Sequence, residues 1–201
     1  MAGCFVTFEG IDGSGKSTQV ALLARELARR GIHHVVTREP GGTPLGRELR
    51  ALLLDPENAI APLAEMLLLA ADRAQHVEQV IRPALDEGAF VLCDRYVDSS
   101  RAYQGAAGVP SEAIEQVNRV ATGGLEPDIT FVFDIDPGGA LPTGGADRFE
   151  KRSRDYHAAV REAFLRIARE EPERVVVIRV DGRSPEEIHG IVLRAMARWL
   201  E

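Results

Sequence analysis

The sequence has few of the features that mark a membrane-bound, secreted or disulfide-bonded protein. Its longest apolar run, residues 66–71, is far shorter than the roughly 20 residues of a membrane-spanning helix. The chain opens MAGCFVTFEG, without a basic leader or a long apolar stretch, so we expect no secretory signal and a cytoplasmic protein. Cys4 and Cys93 fall in segments that we interpret as buried strands, where a thiol acts as a small apolar filler.

The sequence also lacks histidines at the spacing of metal ligands, and it has no excess of positive charge. The formal net charge of -7 would repel a polyphosphate backbone over most of the surface. We therefore expect no nucleic-acid partner, and any anion site must be local. We interpret the histidines as surface or core residues, since none shows metal-ligand spacing and none adjoins the motif blocks below: His33, His34, His76, His157 and His189.

What the sequence does contain is an alternation of strand and helix patterns. Five short apolar, β-rich runs are predicted as strands, at residues 5–8, 34–37, 90–93, 129–133 and 175–180. Helical patterns cover residues 17–30, 62–85, 111–121, 151–169 and 184–200. This alternation predicts an α/β protein with a parallel sheet and right-handed crossovers, and the length of 201 residues favours a single domain.

The longest helical pattern, residues 62–85, carries apolar residues at intervals of three or four. We expect them to form one stripe that packs on the core, made of Met66, Ala70, Ala74, Val77 and Ile81. The Gly/Pro-rich patch at 137–145 is too short for an interdomain linker, and we interpret it as a mobile loop.

A phosphate-binding motif directly follows the first predicted strand and precedes a helical pattern. Residues 10–17 read GIDGSGKS and fit the pattern G-x-x-x-x-G-K-[ST]. Its glycines let backbone N–H groups converge on the β-phosphate of ATP, while Lys16 neutralises the β- and γ-oxygens and Ser17 offers a hydroxyl to Mg²⁺. The residues predicted to bind ATP are Gly10, Ile11, Asp12, Gly13, Ser14, Gly15, Lys16, Ser17 and Thr18.

This P-loop alone leaves ATPases, GTPases, kinases and switch proteins open. The N-K-x-D stretch with which small GTPases read guanine is absent from the sequence. Asp94 and Arg95 follow the strand predicted at 90–93, and open parallel sheets bind ligands beyond the carboxyl ends of their strands. Asp94 is therefore predicted to hold the metal through water, and Arg95 to bind a second phosphate.

Four blocks in order resemble those of bacterial thymidylate kinases over nearly the whole chain. They are FEGIDGSGKST at 8–18, TREPGG at 37–42, DRY at 94–96 continuing into SS at 99–100 and AYQG at 102–105, and DRFE at 147–150. The resemblance implies a P-loop NTPase three-layer sandwich, with a five-stranded parallel sheet covered by helices on both faces. It also implies a homodimer that transfers the γ-phosphoryl group of ATP to thymidine monophosphate (dTMP).

The resemblance also implies roles for single residues of the acceptor site. Arg50 and Arg95 match the clamp on the acceptor phosphate, and guanidinium forks suit phosphate oxygens. Asp12 matches a carboxylate that contacts the sugar 3′-hydroxyl, and Tyr103 matches a ring that crowds a ribose 2′-hydroxyl. The remaining matches contact thymine or shape the pocket: Arg73, Ser100, Gln104, Arg38 and Glu39.

Two departures from the family pattern affect the expected chemistry. The stretch 136–147 reads DPGGALPTGGAD, without the arginines that bacterial relatives carry in a lid, here placed at about 137–150. Among the nearest arginines, Arg148, Arg152 and Arg154, we expect Arg148 to supply the missing catalytic charge, and the alternative is a structural ion pair with Glu150 or a neighbour. Leu69 stands where relatives have an aromatic ring on thymine, which puts the preference for thymine over uracil in question.

Two other functions remain open at this point. The same fold would serve a kinase for another nucleoside monophosphate. A lid without arginine would also suit a nucleotide-binding module with little transfer activity.

Overall fold

The computed structural model describes residues 3–139 and 147–200. In chain order the elements are β1 (Cys4–Glu9), α1 (Lys16–Arg29), β2 (His34–Arg38), α2 (Pro44–Leu54), α3 (Pro62–His76), a π-helical turn (Val77–Ile81), α4 (Arg82–Asp86), β3 (Phe90–Asp94), α5 (Val97–Ala106), α6 (Ser111–Thr122), β4 (Ile129–Asp134), α7 (Arg154–Glu170), β5 (Val175–Arg179), α8 (Pro185–Ala195) and α9 (Ala197–Leu200).

The strands form one parallel sheet over the described residues, in the order β2-β3-β1-β4-β5. This confirms the predicted five-stranded parallel sheet. Every residue of β1 and of β4 is buried, because helices cover both faces of these central strands. Burial on both faces is the reason why their sequences show no alternation of apolar and polar residues.

Helices on both faces confirm the three-layer arrangement. On one face, Val6 of β1 belongs to a core cluster with Leu23 of α1 and Val192 of α8. On the other face, Phe5 of β1 packs in a cluster with Ile81 of the π-helical turn. Successive side chains of β1 therefore pack into two separate apolar cores, one on each face of the sheet.

Two helices were not predicted, α2 and α5. The start of α2 carries a readable signal, since Thr43 Oγ1 accepts a hydrogen bond from Gly46 N at 3.0 Å and Pro44 follows at the first helical position. The buried face of α5 is largely polar and includes Asp98, Ser100 and Gln104. The sequence of α5 therefore lacks the regular spacing of apolar residues from which a helix is predicted.

The buried stripe predicted on the helix from residue 62 differs from the observed one at a single residue. Met66, Ala70, Val77 and Ile81 are buried as expected, whereas Ala74 is exposed. The inward face of α3 is completed by polar side chains, which are Glu65, Asp72, Arg73 and His76. The spacing of apolar residues thus predicted the helix correctly, but part of the buried face of α3 is polar and belongs to a site.

Cys4 and Cys93 are buried and unbridged, as predicted, and burial raises the pKa of both thiols. None of the helices in the described part of the chain is long and apolar enough to cross a membrane. The lid and loop predicted around 137–150 include residues 140–146, which lie outside the described residues.

Candidate active site

The P-loop connects β1 to α1 in the backbone conformation that phosphate binding requires. Gly10, Gly13 and Gly15 have positive φ angles of 134°, 76° and 89°. A Cβ at Gly10 would lie 2.7 Å from Phe133 O, so the neighbouring strand also demands glycine there. No side chain caps the N-terminus of α1, whose first amides are thus available to an anion.

Lys16 is 6% exposed, and its ammonium group is held by the P-loop itself. Its Nζ donates to Gly10 O at 3.1 Å and to Ile11 O at 2.8 Å. Burial, with the charge of Arg95 second, lowers the pKa of Lys16 to about 8. A bound phosphate would replace these two carbonyls with anionic oxygens and favour the charged ammonium.

Ser17 and Asp94, the predicted metal ligands, lie together although they are far apart in the sequence. Ser17 Oγ donates to Asp94 Oδ2 at 2.9 Å, because the end of β3 lies beside the first turn of α1. The other carboxylate oxygen, Asp94 Oδ1, is buried without a hydrogen-bond partner among the described residues. A hydroxyl and a spare carboxylate oxygen suit Mg²⁺, which takes few protein oxygens and completes its shell with water and phosphate.

Arg95 lies between the P-loop and the start of α5, with an unusual positive φ of 73°. Its guanidinium donates to Asp12 Oδ1 at 2.7 Å, to Gly10 O at 3.0 Å and to Ser99 Oγ at 3.1 Å. The ring of Tyr103 lies under the same group, with its centroid 5.0 Å from Cζ. These contacts hold the guanidinium in one place at the junction of β1, β3 and α5.

Asp12 remains ionised in this arrangement. Burial raises the pKa of Asp12, but the charges of Arg95 and Lys16 outweigh burial and bring the pKa down to about 2. The carboxylate therefore stays an acceptor, which suits a contact with a sugar hydroxyl.

Two adjoining cavities surround these groups. The first, with an empty volume of about 590 Å³, is lined by most of the residues predicted for the acceptor: Asp12, Glu39, Arg50, Leu69, Arg73, Arg95, Ser100, Tyr103 and Gln104. The second, of about 810 Å³, lies at the P-loop and is lined by Gly13, Gly15, Lys16, Ser17, Thr18, Arg38 and Asp94. Asp12, Glu39, Arg50 and Arg95 line both cavities, so the two meet at these side chains.

Arg38 was predicted to shape the acceptor pocket. It lines the cavity at the P-loop beside Arg50 and Arg95 and is absent from the lining of the other cavity. Arg50, in contrast, faces both cavities and is anchored by a hydrogen bond from Nη1 to Pro40 O at 3.0 Å. Burial, followed by the charges of Arg38 and Arg95, lowers the pKa of Arg50.

Arg73 is held rigidly in the wall of the first cavity. Its Nε donates to Glu39 Oε2 at 2.8 Å, and Nη1 donates to Ser100 Oγ at 3.1 Å and to Asn118 Oδ1 at 2.6 Å. Nη2 donates to Tyr96 O at 3.0 Å, which leaves one of the guanidinium's five N–H groups for a ligand. The fixed position suits recognition of a base edge.

His76 adjoins the TREPGG block, which corrects the expectation that no histidine does. The ring is fully buried, with Nδ1 2.9 Å from Glu39 Oε1 and Nε2 2.6 Å from Thr37 Oγ1. His76 and Arg73 thus hold the two oxygens of one carboxylate. The spacing of histidine in the sequence gives no signal of this role, because Glu39 comes from another element.

Glu9 is a second residue whose function the sequence did not reveal. Its Oε1 accepts from Tyr96 N at 2.8 Å and Ser99 N at 3.1 Å, and its Oε2 accepts from Ser99 Oγ at 2.6 Å. Burial, with the charge of Asp98 second, raises the pKa of Glu9 to about 7. Because Glu9 ties the end of β1 to the first turn of α5, it fixes the loop that carries Arg95.

Arg148 does not take the catalytic position predicted for it. Its Nη1 lies 2.6 Å from Glu65 Oε2 and its Nε donates to Leu53 O at 2.9 Å. It belongs to the lining of neither cavity. The structure instead shows an ion pair of the kind named as the alternative, with Glu65 as the partner and not Glu150.

The fold and this pair of cavities define a P-loop nucleoside monophosphate kinase, in which a donor site and a cation-lined acceptor site meet. The family model for thymidylate kinase matches residues 8–190. The chain belongs to the thymidylate kinase family, whose reaction is the phosphorylation of dTMP with ATP as phosphoryl donor.

Similar proteins support this assignment over nearly the full chain. A thymidylate kinase of Symbiobacterium thermophilum is 51% identical over 201 residues, covering 98% of this chain and 94% of the relative. A thymidylate kinase of Clavibacter sepedonicus is 50% identical and covers 100% and 97%. The crystal structure of thymidylate kinase from Ehrlichia chaffeensis matches with a TM-score of 0.82 at 36% identity, covering 96% and 98%.

Proposed function

We propose that the chain transfers the γ-phosphoryl group of ATP to dTMP, giving ADP and thymidine diphosphate for dTTP synthesis. It does so as a single cytoplasmic domain that uses Mg²⁺. The observation that carries the proposal is the junction of the two cavities at Asp12, Arg50 and Arg95. Phosphoryl transfer needs the donor and acceptor in line with cations around the moving group, and it requires little covalent chemistry from the protein.

On the donor side, the amides of residues 13–18 bind the phosphates of ATP and Lys16 exchanges its two carbonyl partners for phosphate oxygens. Ser17 and Asp94 would hold Mg²⁺, which when bound supplies further charge neutralisation at the phosphates. The proposed metal ligands are already in contact, at 2.9 Å. This pre-organisation lowers the cost of binding the nucleotide.

On the acceptor side, Arg95 and Arg50 bind the phosphate of dTMP, and Asp12 accepts a hydrogen bond from the 3′-hydroxyl. The ring of Tyr103, 5% exposed, forms the wall against which a deoxyribose packs. Arg73 donates to the thymine edge, assisted by Ser100 and Gln104. Leu69 lines this cavity and offers apolar contact without aromatic stacking.

The charge that the lid lacks is supplied by groups at the cavity junction. Arg148 and Arg152 both lie on Glu65, and Arg154 is exposed beside Asp136, 3.4 Å away. Lys16, Arg50 and Arg95 line the cavity at the P-loop, where the phosphates meet. We infer that these three cations offset the repulsion between the two nucleotides.

A panel of acceptors tests this function against the two alternatives. With ATP and Mg²⁺, we expect kcat/KM for dTMP to exceed that for dCMP, dAMP and dGMP at least about a hundredfold, since the wrong bases leave buried polar groups unpaired. The value for dUMP should fall short of dTMP by no more than about two hundredfold, the limit for one methyl group. Chelation with EDTA should abolish turnover.

Each other outcome of the panel has a definite meaning. A preference for another base would assign the chain to a different nucleoside monophosphate kinase. Binding of ATP and dTMP in calorimetry without product at high enzyme concentration would show a binding module.

We also propose a homodimer formed through α3 and α6. The outward face of α3 carries Leu63 and Leu67, which are 54% and 50% exposed, followed by the exposed Ala71 and Ala74. Val120 on the adjoining α6 is 84% exposed. A row of exposed large apolar side chains along one helix is typical of a surface that another chain covers, and a second copy of this helix pair matches it by symmetry.

Leu67→Asp is expected to convert the dimer into a monomer, because it places charge at the centre of this apolar face. Sedimentation velocity at micromolar concentration measures the change. Val177→Asp, the same substitution at a 41% exposed valine on the edge strand β5, is the matched control and should stay dimeric. A wild-type chain that sediments as a monomer, or a dimeric Leu67→Asp variant, would refute the proposed interface.

A further inference from the structure

Glu65, in the first turn of α3, is a fully buried carboxylate with three side-chain donors around it. On Oε2 lie two guanidinium groups, Arg148 Nη1 at 2.6 Å and Arg152 Nη2 at 2.8 Å. On Oε1 lies Gln104 Nε2 of α5, at 2.8 Å. Glu65 is absent from the lining of both cavities, so its influence on a ligand must pass through these neighbours.

The carboxylate decides which way the amide of Gln104 points. With two guanidinium groups against it, Glu65 only accepts hydrogen bonds, so the NH₂ group of Gln104 must turn towards it. The amide oxygen then points the other way. Gln104 Oε1 is buried and has no hydrogen-bond partner among the described residues, although Gln104 lines the acceptor cavity. A buried unpaired acceptor in a cavity wall demands a donor from the ligand.

The acceptor cavity thus presents a fixed pattern to a base. Gln104 offers an acceptor, and Arg73, which lines the same cavity, has one N–H beyond its four hydrogen bonds that can serve as a donor. Thymine fits this pattern with N3–H as donor and O4 as acceptor. Cytosine has the opposite pattern, with N3 as acceptor and an exocyclic amine as donor. If the amide of Gln104 turned over, the preference at N3 would reverse.

We propose that Glu65 is a positioning residue that sets the selectivity of the kinase for thymine over cytosine by fixing the amide of Gln104. The proposal rests on the proposed function, in which Gln104 contacts the base. Glu65 itself touches neither nucleotide. Arg148 and Arg152 share Oε2, so either guanidinium alone can anchor the carboxylate, whereas Oε1 contacts Gln104.

Glu65→Gln tests the proposal, because glutamine has nearly the same shape but can donate as well as accept. The amide of Gln104 is then free to turn. We expect the ratio of kcat/KM for dTMP to that for dCMP to fall at least about tenfold, mainly through a higher KM for dTMP. A variant that folds and keeps the wild-type ratio would overturn the proposal.

Arg152→Gln is the matched control, since it removes one guanidinium from Glu65 Oε2 and leaves the contact with Gln104 in place. Its dTMP to dCMP ratio should equal that of the wild type, because any effect on transfer cancels in the ratio. A fall as large as that of Glu65→Gln would show that loosening the ion pairs suffices, which contradicts the proposal. A wild-type enzyme without preference for dTMP would refute the proposed function, and the inference with it.

A second measurement needs no substitution of the buried carboxylate. In ¹⁵N-labelled wild-type protein, one Nε2 hydrogen of Gln104 should exchange slowly with solvent, both without ligand and with dTMP, because it donates to buried Glu65. The signals are assigned by their loss in Gln104→Glu. Rapid exchange in either state would overturn the proposal even if Glu65→Gln failed to fold.

Discussion

Lys16→Ala is expected to lower kcat at least about a hundredfold while the fold stays intact. The ammonium lies in the loop between β1 and α1, and no other described lysine lines the cavity at the P-loop. Its removal takes a positive charge from the β- and γ-oxygens where negative charge moves during transfer. Single-turnover measurements with saturating ATP and dTMP separate this effect from a loss of ATP affinity.

Lys151→Ala is the matched control for this variant. Lys151 is exposed and lines neither cavity, so the same change of charge there should leave kcat unaltered. Circular dichroism and thermal unfolding establish that both variants are folded. Turnover of folded Lys16→Ala within tenfold of the wild type would refute the assigned role.

The sheet and the P-loop could be predicted because both are recorded in short stretches of sequence. Each apolar run is a strand buried on two faces, and the order of strands and helices restricts the topology to a parallel sheet. The motif at 10–17 contains its own glycines, lysine and serine. The rule that ligands bind at the carboxyl ends of parallel strands then placed Asp94 and Arg95 beside the P-loop.

The partners of buried polar side chains could not be predicted in this way. Glu9, Glu65 and His76 each bind groups that come from distant parts of the chain. Glu9 reaches Tyr96 because β1 pairs with β3, Glu65 meets Gln104 where α3 packs on α5, and His76 of α3 contacts Glu39 just beyond β2. The error on Arg148 has the same origin. Its position within the DRFE block at the lid edge suggested a catalytic role, but its partner Glu65 lies in α3, far away in the sequence, and only the folded chain brings the two together.

Arg95 carries the second large expected effect, and the structure indicates why lysine should not replace it. Four features surround the guanidinium: Asp12, Gly10 O, Ser99 Oγ and the ring of Tyr103. A planar fork can keep such contacts with some N–H groups and bind phosphate with others, whereas an ammonium is a point charge. We therefore expect both Arg95→Ala and Arg95→Lys to lower kcat/KM for dTMP at least about a hundredfold.

The pH dependence of binding separates loss of the clamp from collapse of the site. The charge of Arg95 is the largest of those that bring the pKa of Asp12 down to about 2, so in Arg95→Ala the carboxylate should titrate at a higher pH. Binding of dTMP should then weaken on acidification at a pH where the wild type is unaffected, because a protonated Asp12 is a poorer acceptor for the 3′-hydroxyl.

Arg47→Ala, at an exposed arginine of α2 that lines neither cavity, should keep the wild-type kcat/KM and pH profile. An Arg95→Ala variant with wild-type kcat/KM would show that Arg50 alone binds the acceptor phosphate, and the junction of the two cavities would lose its assigned function.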